Sequence, residues 1–394
     1  MDPSTVRAFS RALLLGILLT AATASACAAP IQAVPGHPQA LSSRVAGAVT
    51  EIELPPGSET LFITTDPQGR AWFTQGLADK VAVIEQGSTT VTEIPTTRGA
   101  WPRDIKSDRD GNIWFTEFDG LGGIAAGTTA IHEYDATWSD AWPSRLAVDS
   151  RGNVWFTGND GIGRIDKGSR WIRRIGLPKP KSAGYALVID RDDNVWFTLH
   201  RDDSIGLIPR GESSVTAIPI PTAAANAKSI TADDDGNIWF AETDGNRIGL
   251  IPRGAREVIE IPIPSPRARP AFIVADRDGN VWFTEAEENA IGLIPKGARS
   301  VTQIPIPTAR SVPEFITTDA GGNVWFTETA GNNIGRIARG ERTVTEFAIP
   351  TPDVDPFCIT VDEQGNVWFT ELHGNKIGRI ASADANAPRT SSAP

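Results

Sequence analysis

The sequence predicts an all-β protein, an eight-bladed β-propeller whose blades are four-stranded antiparallel sheets. The first indication is a Trp-Phe pair that recurs eight times at intervals of 41 to 43 residues, a period typical of repeat proteins. The second is that each unit contains short apolar runs separated by turn residues, which is the pattern of one propeller blade. The repeated tryptophans are Trp72, Trp114, Trp155, Trp196, Trp239, Trp282, Trp325 and Trp368.

The seventh unit shows the predicted strands most clearly. They are Phe315 to Thr317, Asn323 to Thr327, Ile334 to Ile337 and Val344 to Ile349. An Asp-x-x-Gly-Asn segment separates the first two and predicts a tight turn. The Val-Trp-Phe-Thr run of the second strand is almost continuously apolar, as expected for a strand that neighbouring blades cover on both faces.

The N-terminal residues 1–26 have the features of a signal peptide. Arg7 and Arg11 precede the apolar run Ala12 to Ala22, and small residues follow where a signal peptidase cleaves. The apolar run is too short to span a bilayer as a mature helix. We therefore expect an exported protein that is secreted, periplasmic or lipid-anchored at the cell envelope.

Cys27 directly follows the expected cleavage point. Lipidation of its thiol would anchor the protein to a membrane, and plain secretion is the alternative. Residues 27–47 are rich in Ala, Pro and Ser without a period and predict a flexible linker. Residues 382–394 are similar and predict a disordered tail.

The two ends of the repeat array complement each other. Val49 to Leu54 matches a fourth strand that no other strand precedes, whereas the last unit ends after Ile377 to Ile380 without a fourth strand. We expect the first segment to complete the last blade, because this pairing closes the ring and removes two exposed sheet edges. The predicted propeller therefore spans residues 48–381.

The composition excludes several classes of protein. A formal net charge of -11 argues against nucleic-acid binding, which requires clustered Lys and Arg. Two cysteines cannot supply a disulfide framework. Cys358 aligns in the repeat with Phe62, Phe272 and Phe315, so we interpret it as a buried apolar residue. We expect a monomer whose partner is a small molecule or a cyclic peptide.

One rim of the propeller breaks the repeat. The loop into the first strand and the loop from second to third strand lie together on this near rim, and the other two turns lie on the far rim. Near the start of each first strand, one position varies from blade to blade and is expected to point toward the mouth of the central channel. Its residues are Leu61, Arg103, Ser144, Tyr185, Lys228, Ala271, Glu314 and Phe357.

Further aromatic and acidic residues fall on the near rim. Trp101 and Trp142 lie in the loops into the first strands of the second and third blades, and His373 lies in the last second-to-third-strand loop. Acids that end the second strands are Glu117, Glu242, Glu285, Glu328 and Glu371. Aromatic walls with a few charged groups favour an organic ligand. The alternative is that the Glu residues pair with Arg or Lys across blades and that the Trp residues simply pack.

The far-rim turns contain Asp-x-Asp-Gly-Asn in three blades, which suggests calcium. A calcium loop places its Gly at the sixth position, whereas these turns have it at the fourth. We therefore interpret the aspartates as turn residues.

The repeat motif resembles that of the streptogramin B lyases, also called virginiamycin B lyases. Its full form, P-x-x-I-T-x-D-x-x-G-N-x-W-F-T-E-x-x-x-N-x-I-G-R-I, is seen around Pro313 to Ile337 and Pro356 to Ile380, and the resemblance covers about residues 48–381. It implies a propeller that linearises a cyclic depsipeptide by elimination at its ester linkage and that requires Mg²⁺. Elimination requires a base for a carbon-bound proton and a cation for the developing enolate.

The chain departs from the family in two respects. The resemblance implies seven blades, whereas the sequence has eight repeats. It also implies essential histidines directly after Pro at the near-rim position of the last two blades, where this chain has Glu314 and Phe357. Histidines fall on the near rim only at His200 and His373.

We hypothesise that the lyase chemistry is rebuilt from other residues. Glu314 would be the base, Lys228 or Arg103 would bind the enolate oxygen, and Glu328 and Glu371 would hold the metal. The substrate would also contact Trp101, Trp142, Tyr185 and His373. The alternative function is a non-catalytic propeller of the cell envelope that binds a ligand or partner on the same rim.

Overall fold

A computed structural model of the chain describes residues 43–45, 47–136, 138, 141–179 and 182–385. The expected signal peptide, Cys27 and most of the expected linker and tail lie outside these residues. Within the described part, no helix is long and apolar enough to cross a membrane.

The described residues form 33 strands, numbered here in chain order, of which the first two are β1 (Ser43–Val45) and β2 (Val49–Glu53). Blades 1 and 2 contain β3 (Thr60–Thr65), β4 (Ala71–Gln75), β5 (Lys80–Ile84), β6 (Val91–Pro95), β7 (Ile105–Ser107), β8 (Ile113–Thr116), β9 (Gly120–Ile124) and β10 (Ile131–Asp135). Blades 3 and 4 contain β11 (Leu146–Val148), β12 (Val154–Gly158), β13 (Gly161–Ile165), β14 (Ile172–Ile175), β15 (Gly184–Ile189), β16 (Val195–Leu199), β17 (Ser204–Ile208) and β18 (Thr216–Pro219).

The second half of the chain continues the same order. Blades 5 and 6 contain β19 (Ala227–Ala232), β20 (Ile238–Glu242), β21 (Arg247–Ile251), β22 (Ile259–Pro262), β23 (Pro270–Ala275), β24 (Val281–Glu285), β25 (Ala290–Ile294) and β26 (Thr302–Pro305). Blades 7 and 8 contain β27 (Pro313–Thr318), β28 (Val324–Glu328), β29 (Asn333–Ile337), β30 (Val344–Ala348), β31 (Pro356–Val361), β32 (Val367–Glu371) and β33 (Lys376–Ile380). A 3-10 turn, Gly76–Ala78, follows β4, and one helical turn, α1 (Ser382–Ala385), follows β33.

Ring closure occurs as the sequence predicts. Strand β2 pairs antiparallel with β33, from Val49 opposite Ile380 to Glu53 opposite Lys376, and supplies the fourth strand of blade 8. The Asn375 side chain reinforces the joint by donating to the Leu54 carbonyl at 2.6 Å. The eight-bladed propeller is therefore confirmed.

Both ends of the propeller extend beyond the predicted bounds of 48 and 381. At the N-terminal end, β1 pairs in parallel with β30 and adds a fifth strand to blade 7, so residues 43–45 of the predicted linker are part of a sheet. At the C-terminal end, the first residues of the predicted tail form α1.

A hydrogen-bonded turn fixes the start of each second strand. In blade 5, the Asp233 carboxylate accepts the Asn237 backbone N–H at 2.8 Å, the Asn237 side-chain amide at 2.9 Å and the Trp239 indole N–H at 2.8 Å. The indole-to-carboxylate distance lies between 2.7 and 3.1 Å in all eight blades. The aspartates are therefore occupied by turn and strand donors, in agreement with the turn interpretation.

The Phe of each Trp-Phe pair explains the glycine of the third strand. Phe240 is fully buried, and a Cβ atom added to Gly249 would lie 2.0 Å from its ring. The same clash recurs in the other blades that have this glycine, whereas blade 1 has Ala82 opposite Phe73. Phe240 also shares a buried cluster with Trp196 of blade 4. Since each aromatic ring buries about 150–250 Å², the interfaces between blades hold the ring together.

The inner strands carry an irregularity where they meet the near rim. In β3, Thr60 pairs with Gln75 and Ile63 with Phe73, so Leu61 and Phe62 together lie opposite one residue. The inner strands of blades 4 to 8 have the same register shift. A bulge of this kind re-aims side chains. It therefore gives two consecutive residues of a blade access to the channel.

We expect Asp233→Ala to destabilise the protein by about 2–4 kcal/mol, because it leaves buried donors without their charged acceptor. Urea unfolding followed by tryptophan fluorescence measures the effect. Asp235→Ala is the matched control, since Asp235 lies in the same turn but is half exposed and pairs with Lys296 at the surface. Equal unfolding midpoints for the two variants would contradict a structural role of the buried aspartate.

Candidate functional site

The loops that lead into the inner strands share one backbone conformation. The residue two positions before the variable rim position has a positive φ in each blade, between 34° and 53°. These residues are Glu59, Trp101, Trp142, Ala183, Asn226, Arg269, Val312 and Asp355. A left-handed conformation is unfavourable for bulky side chains. Its recurrence with eight varied residues shows that the ring imposes the loop geometry and leaves the side chain free to vary.

Glu314 and Lys228 form the first group at the channel mouth. Burial raises the pKa of Glu314 to about 7, the charge of Asp355 adds to the rise, and the charge of Lys228 opposes it. The Nδ1 atom of His373 lies 2.6 Å from Oδ2 of Asp355. The structure therefore brings Glu314 and Lys228 into electrostatic contact across blades 5 and 7 and links His373 to them through Asp355.

Arg103 and Tyr185 belong to a second group, in blades 2 to 4. The guanidinium carbon of Arg145 lies 4.4 Å from the ring centre of Phe62 and 5.5 Å from that of Tyr185. Burial lowers the pKa of Arg103, and the charge of Arg145 lowers it further. Tyr185 also contacts His200, with 5.7 Å between ring centres. Burial is the main cause that lowers the pKa of His200.

Four phenylalanines form an aromatic wall that the sequence analysis did not identify as part of a site. The ring centre of Phe315 lies 3.9 Å from that of Phe272, 4.7 Å from that of Phe357 and 5.8 Å from that of Phe62. Of these four residues, only Phe357 occupies the variable rim position. The other three follow that position by one residue, where the bulge places a second side chain.

Arg145 and Asp355 were also missed. Arg145 directly follows the variable rim position Ser144, and Asp355 occupies the left-handed position of the loop into the inner strand of blade 8. The sequence signal that could have identified them is that these two repeat positions also vary from blade to blade, as the chosen rim position does.

Trp101 and Trp142 have structural contacts. The backbone N–H of Trp101 donates to the Asp79 carboxylate at 3.1 Å, and the Trp142 ring packs at 4.9 Å from that of Phe118. Both side chains are only partly buried. The structure thus places them on the near rim, in loops that their own contacts hold, and their role in binding remains a prediction.

Glu328 and Glu371 do not converge. Both are fully buried, and each lies beside the acid of its own fourth strand, Glu346 for Glu328 and Glu51 for Glu371. No group of three or more His, Cys, Asp or Glu side chains in the described ranges could hold a metal ion. The residues that the sequence assigned to Mg²⁺ therefore do not fit a magnesium site, and we derive no step through a metal.

Four of the five second-strand acids lie beside an acid of their own fourth strand, and the fifth, Glu285, accepts a hydrogen bond from Gln303. Burial is the main cause that raises the pKa of Glu117 to about 10, of Glu242, Glu328 and Glu371 to about 8, and of Glu285 to about 7. In blade 1 the equivalent residue is Gln75, whose amide donates to Glu93 at 3.1 Å. A protonated Glu can likewise act as a donor, and burial beside a second carboxyl favours this protonated form. Their neighbours are mostly acids, not the Arg and Lys that the sequence alternative expected.

Comparison with known proteins agrees with this architecture. Residues 40–183 and 159–388 match the virginiamycin B lyase family. A solved streptogramin B lyase is 28% identical with a TM-score of 0.61, over 84% of this chain and 96% of that chain. A catalytically inactive histidine-to-alanine variant of virginiamycin B lyase from Staphylococcus aureus, crystallised with quinupristin, is 27% identical with a TM-score of 0.62, over 84% and 98%.

More distant structures share the fold alone. YCF48 bound to a peptide is 12% identical with a TM-score of 0.56, over 80% of this chain and 100% of that chain. No curated protein sequence matches the chain.

Glu328→Gln should stabilise the protein near pH 8 by about 1–2 kcal/mol and change little near pH 5, because Gln reproduces the protonated acid. The folded-state pKa of Glu328, about 8, lies above its ordinary value of 4.5. Its contribution to stability is therefore complete below about pH 4.5 and is lost as the pH rises to about 8. Urea unfolding at both pH values measures the difference.

The control for this comparison is Glu363→Gln, which removes an exposed carboxylate from the turn of blade 8. A gain that is the same at both pH values would show that Glu328 is not protonated in the folded protein.

Proposed function

The chain belongs to the virginiamycin B lyase family, and from this premise we propose that it binds a cyclic depsipeptide at the near rim and opens it by elimination at the ester. The observation that carries the proposal is that burial raises the pKa of the Glu314 carboxyl to about 7, while the charge of Lys228 opposes the rise. A general base works best when its pKa lies near the pH at which the protein acts. A cationic amine within electrostatic reach supplies the second requirement of an elimination, because it stabilises negative charge on an enolate oxygen.

The proposed reaction uses only residues of the chain. Glu314 accepts the proton from the carbon next to a carbonyl group, and Lys228 stabilises the charge that develops on the carbonyl oxygen. The electron pair then forms a carbon–carbon double bond while the alkyl carbon–oxygen bond of the ester breaks. The ester leaves as a carboxylate, and the ring opens without the addition of water.

The family resemblance explains why Glu314 is the proposed base. In the S. aureus enzyme, one histidine-to-alanine change gives a catalytically inactive protein. The resemblance places essential family histidines at the two rim positions occupied here by Glu314 and Phe357. A buried carboxylate with a raised pKa can perform the proton transfer of a histidine. His373, held by Asp355 beside Glu314, is the proposed contact to the substrate.

A second candidate function is non-catalytic binding on the same rim. It is favoured by Phe357, which cannot transfer a proton and which belongs to the aromatic wall. A ligand would then rest against this wall and against Trp101, Trp142 and Tyr185. A distant propeller, YCF48, binds a peptide, so recognition without chemistry is compatible with the fold.

We extend the proposal to the location and state of the protein. The basic and apolar residues of segment 1–26 support export, and Cys27 supports a lipid anchor at the cell envelope. The ring has no unpaired closing edge, which supports a monomer.

Incubation with quinupristin should yield a ring-opened isomer of unchanged mass, detected by chromatography and mass spectrometry. The rate should rise as the pH increases through about 7, because Glu314 accepts a proton only when it is ionised. Glu314→Gln should lower the rate by about 10²- to 10⁴-fold. Glu287→Gln is the matched control, since Glu287 is an exposed acid on the same rim that pairs with Arg269.

The reaction is measured with and without added magnesium. A product heavier by one water would identify a hydrolase and overturn the elimination. Tight binding of quinupristin without any product would support the non-catalytic alternative, and full turnover by the Glu314→Gln variant would remove Glu314 from the mechanism.

A further inference from the structure

A cluster of positive charge lies at the near rim of a protein whose formal net charge is -11. It comprises Arg103, Arg145 and Lys106, in blades 2 and 3. The acid whose charge acts on Arg103 is Asp104, which is buried and accepts the Leu146 backbone N–H at 2.9 Å. One oxygen of this carboxylate is therefore already engaged by a backbone donor.

The two arginines have no ion pair among the residues that the structure describes. The contact of the Arg145 guanidinium with a polar group is a long hydrogen bond of 3.4 Å to the Ser144 carbonyl. Burial and the charge of Arg145 both lower the pKa of Arg103. Guanidinium groups nevertheless stay protonated in proteins. Two neighbouring, partly buried like charges that make no ion pair repel each other, and an anion between them would reduce the repulsion.

An apolar surface adjoins the cationic cluster. The Arg145 guanidinium lies over Phe62, which contacts Phe315 and Phe357 edge to face at 5.8 Å in each case. Burial raises the pKa of the Cys358 thiol, and the charges of Lys106 and Arg145 oppose that rise. Lys106 and Arg145 are therefore close to Cys358, which lies in blade 8 next to Phe357 of the aromatic wall. The cluster and the wall together suit a ligand with an anionic group at one end and an apolar body at the other.

We propose that Arg103 and Arg145 form a carboxylate-binding subsite and that the aromatic wall holds the apolar part of the same ligand. The ligand class is an acyl amino acid or peptide with a free carboxylate and an aromatic or aliphatic side chain. The planar guanidinium fork matches the two oxygens of a carboxylate, which favours arginine over lysine for this task. Tyr185, against Arg145, completes the subsite from blade 4.

The subsite also gives a role to the leaving group of the proposed elimination, and that part rests on the proposed function. Cleavage of the ester releases a carboxylate where none existed. Arginines placed to receive it would stabilise the charge that develops on the leaving oxygen. Binding of a ready-made carboxylate requires no reaction, so it can be tested independently.

Isothermal titration calorimetry of the full-length protein with N-acetyl-phenylalanine and with its amide tests the proposal directly. We expect the acid to bind at least tenfold more tightly than the amide, with an affinity that falls as salt is added. Arg145→Gln and Arg103→Gln should each weaken binding of the acid by about tenfold or more, the value expected for loss of a charged hydrogen bond. Arg256→Gln, an exposed arginine of a far-rim turn, should leave it unchanged.

Equal affinity of the acid and the amide would overturn the subsite, and so would unchanged binding of the acid in both arginine variants. The comparison of the two probes uses the unmodified protein, so it decides the question even where an arginine variant fails to fold. Binding of the acid together with no conversion of quinupristin would support the subsite and reject the elimination. Conversion of quinupristin together with equal binding of the acid and the amide would support the elimination and reject the subsite.

Discussion

The hydrogen bond from the repeated tryptophan to the aspartate of the preceding turn is the constraint on which the rest of the structure depends. It joins the far-rim turn to the second strand of the same blade, and it is present in every blade at 2.7 to 3.1 Å. A carboxylate that accepts several buried donors is strongly held. Because this joint fixes the Trp-Phe pair, it also sets the ring of Phe against the glycine of the third strand and the blade against its neighbour. The eight interfaces are therefore nearly identical, and the ring can close.

In the closed ring, the residues that stabilise the fold are separate from the residues that could recognise a ligand. The residues that repeat are concentrated in the far-rim turns and the middle strands, whereas the residues that vary lie where the inner strands meet the near rim. The backbone of the near rim is itself regular, since all eight loops share a left-handed residue and six inner strands share a register shift. A fixed backbone with variable side chains is suited to building a site without altering the scaffold.

Most of the fold could be predicted from the sequence, because its determinants are local and periodic. The unpaired match of Val49 to Leu54 with a fourth strand was sufficient to predict closure. The site was only partly predictable. Glu314 and Lys228 share one column of the repeat, and the ring brings them together. Arg145 directly follows the variable rim position of its blade, and only its contacts with Phe62 and Tyr185 show that it reaches the same space. Glu328 failed as a metal ligand because an acid at the end of a strand has the same sequence pattern whether it faces the channel or a buried partner.

The electrostatics of the mouth follow from how the chain distributes charge around the ring. Blades 7 and 8 supply Glu314 and Asp355, blades 2 and 3 supply the arginines, and Lys228 in blade 5 is the cation that acts on Glu314. The arginines and Glu314 lie at the two ends of a chain of aromatic contacts, because Arg145 lies over Phe62, and Phe62 contacts Phe315, the residue after Glu314. A molecule that loses a proton on one side and gains a carboxylate on the other would match this separation, which is why the elimination and the carboxylate subsite belong to one arrangement of charge.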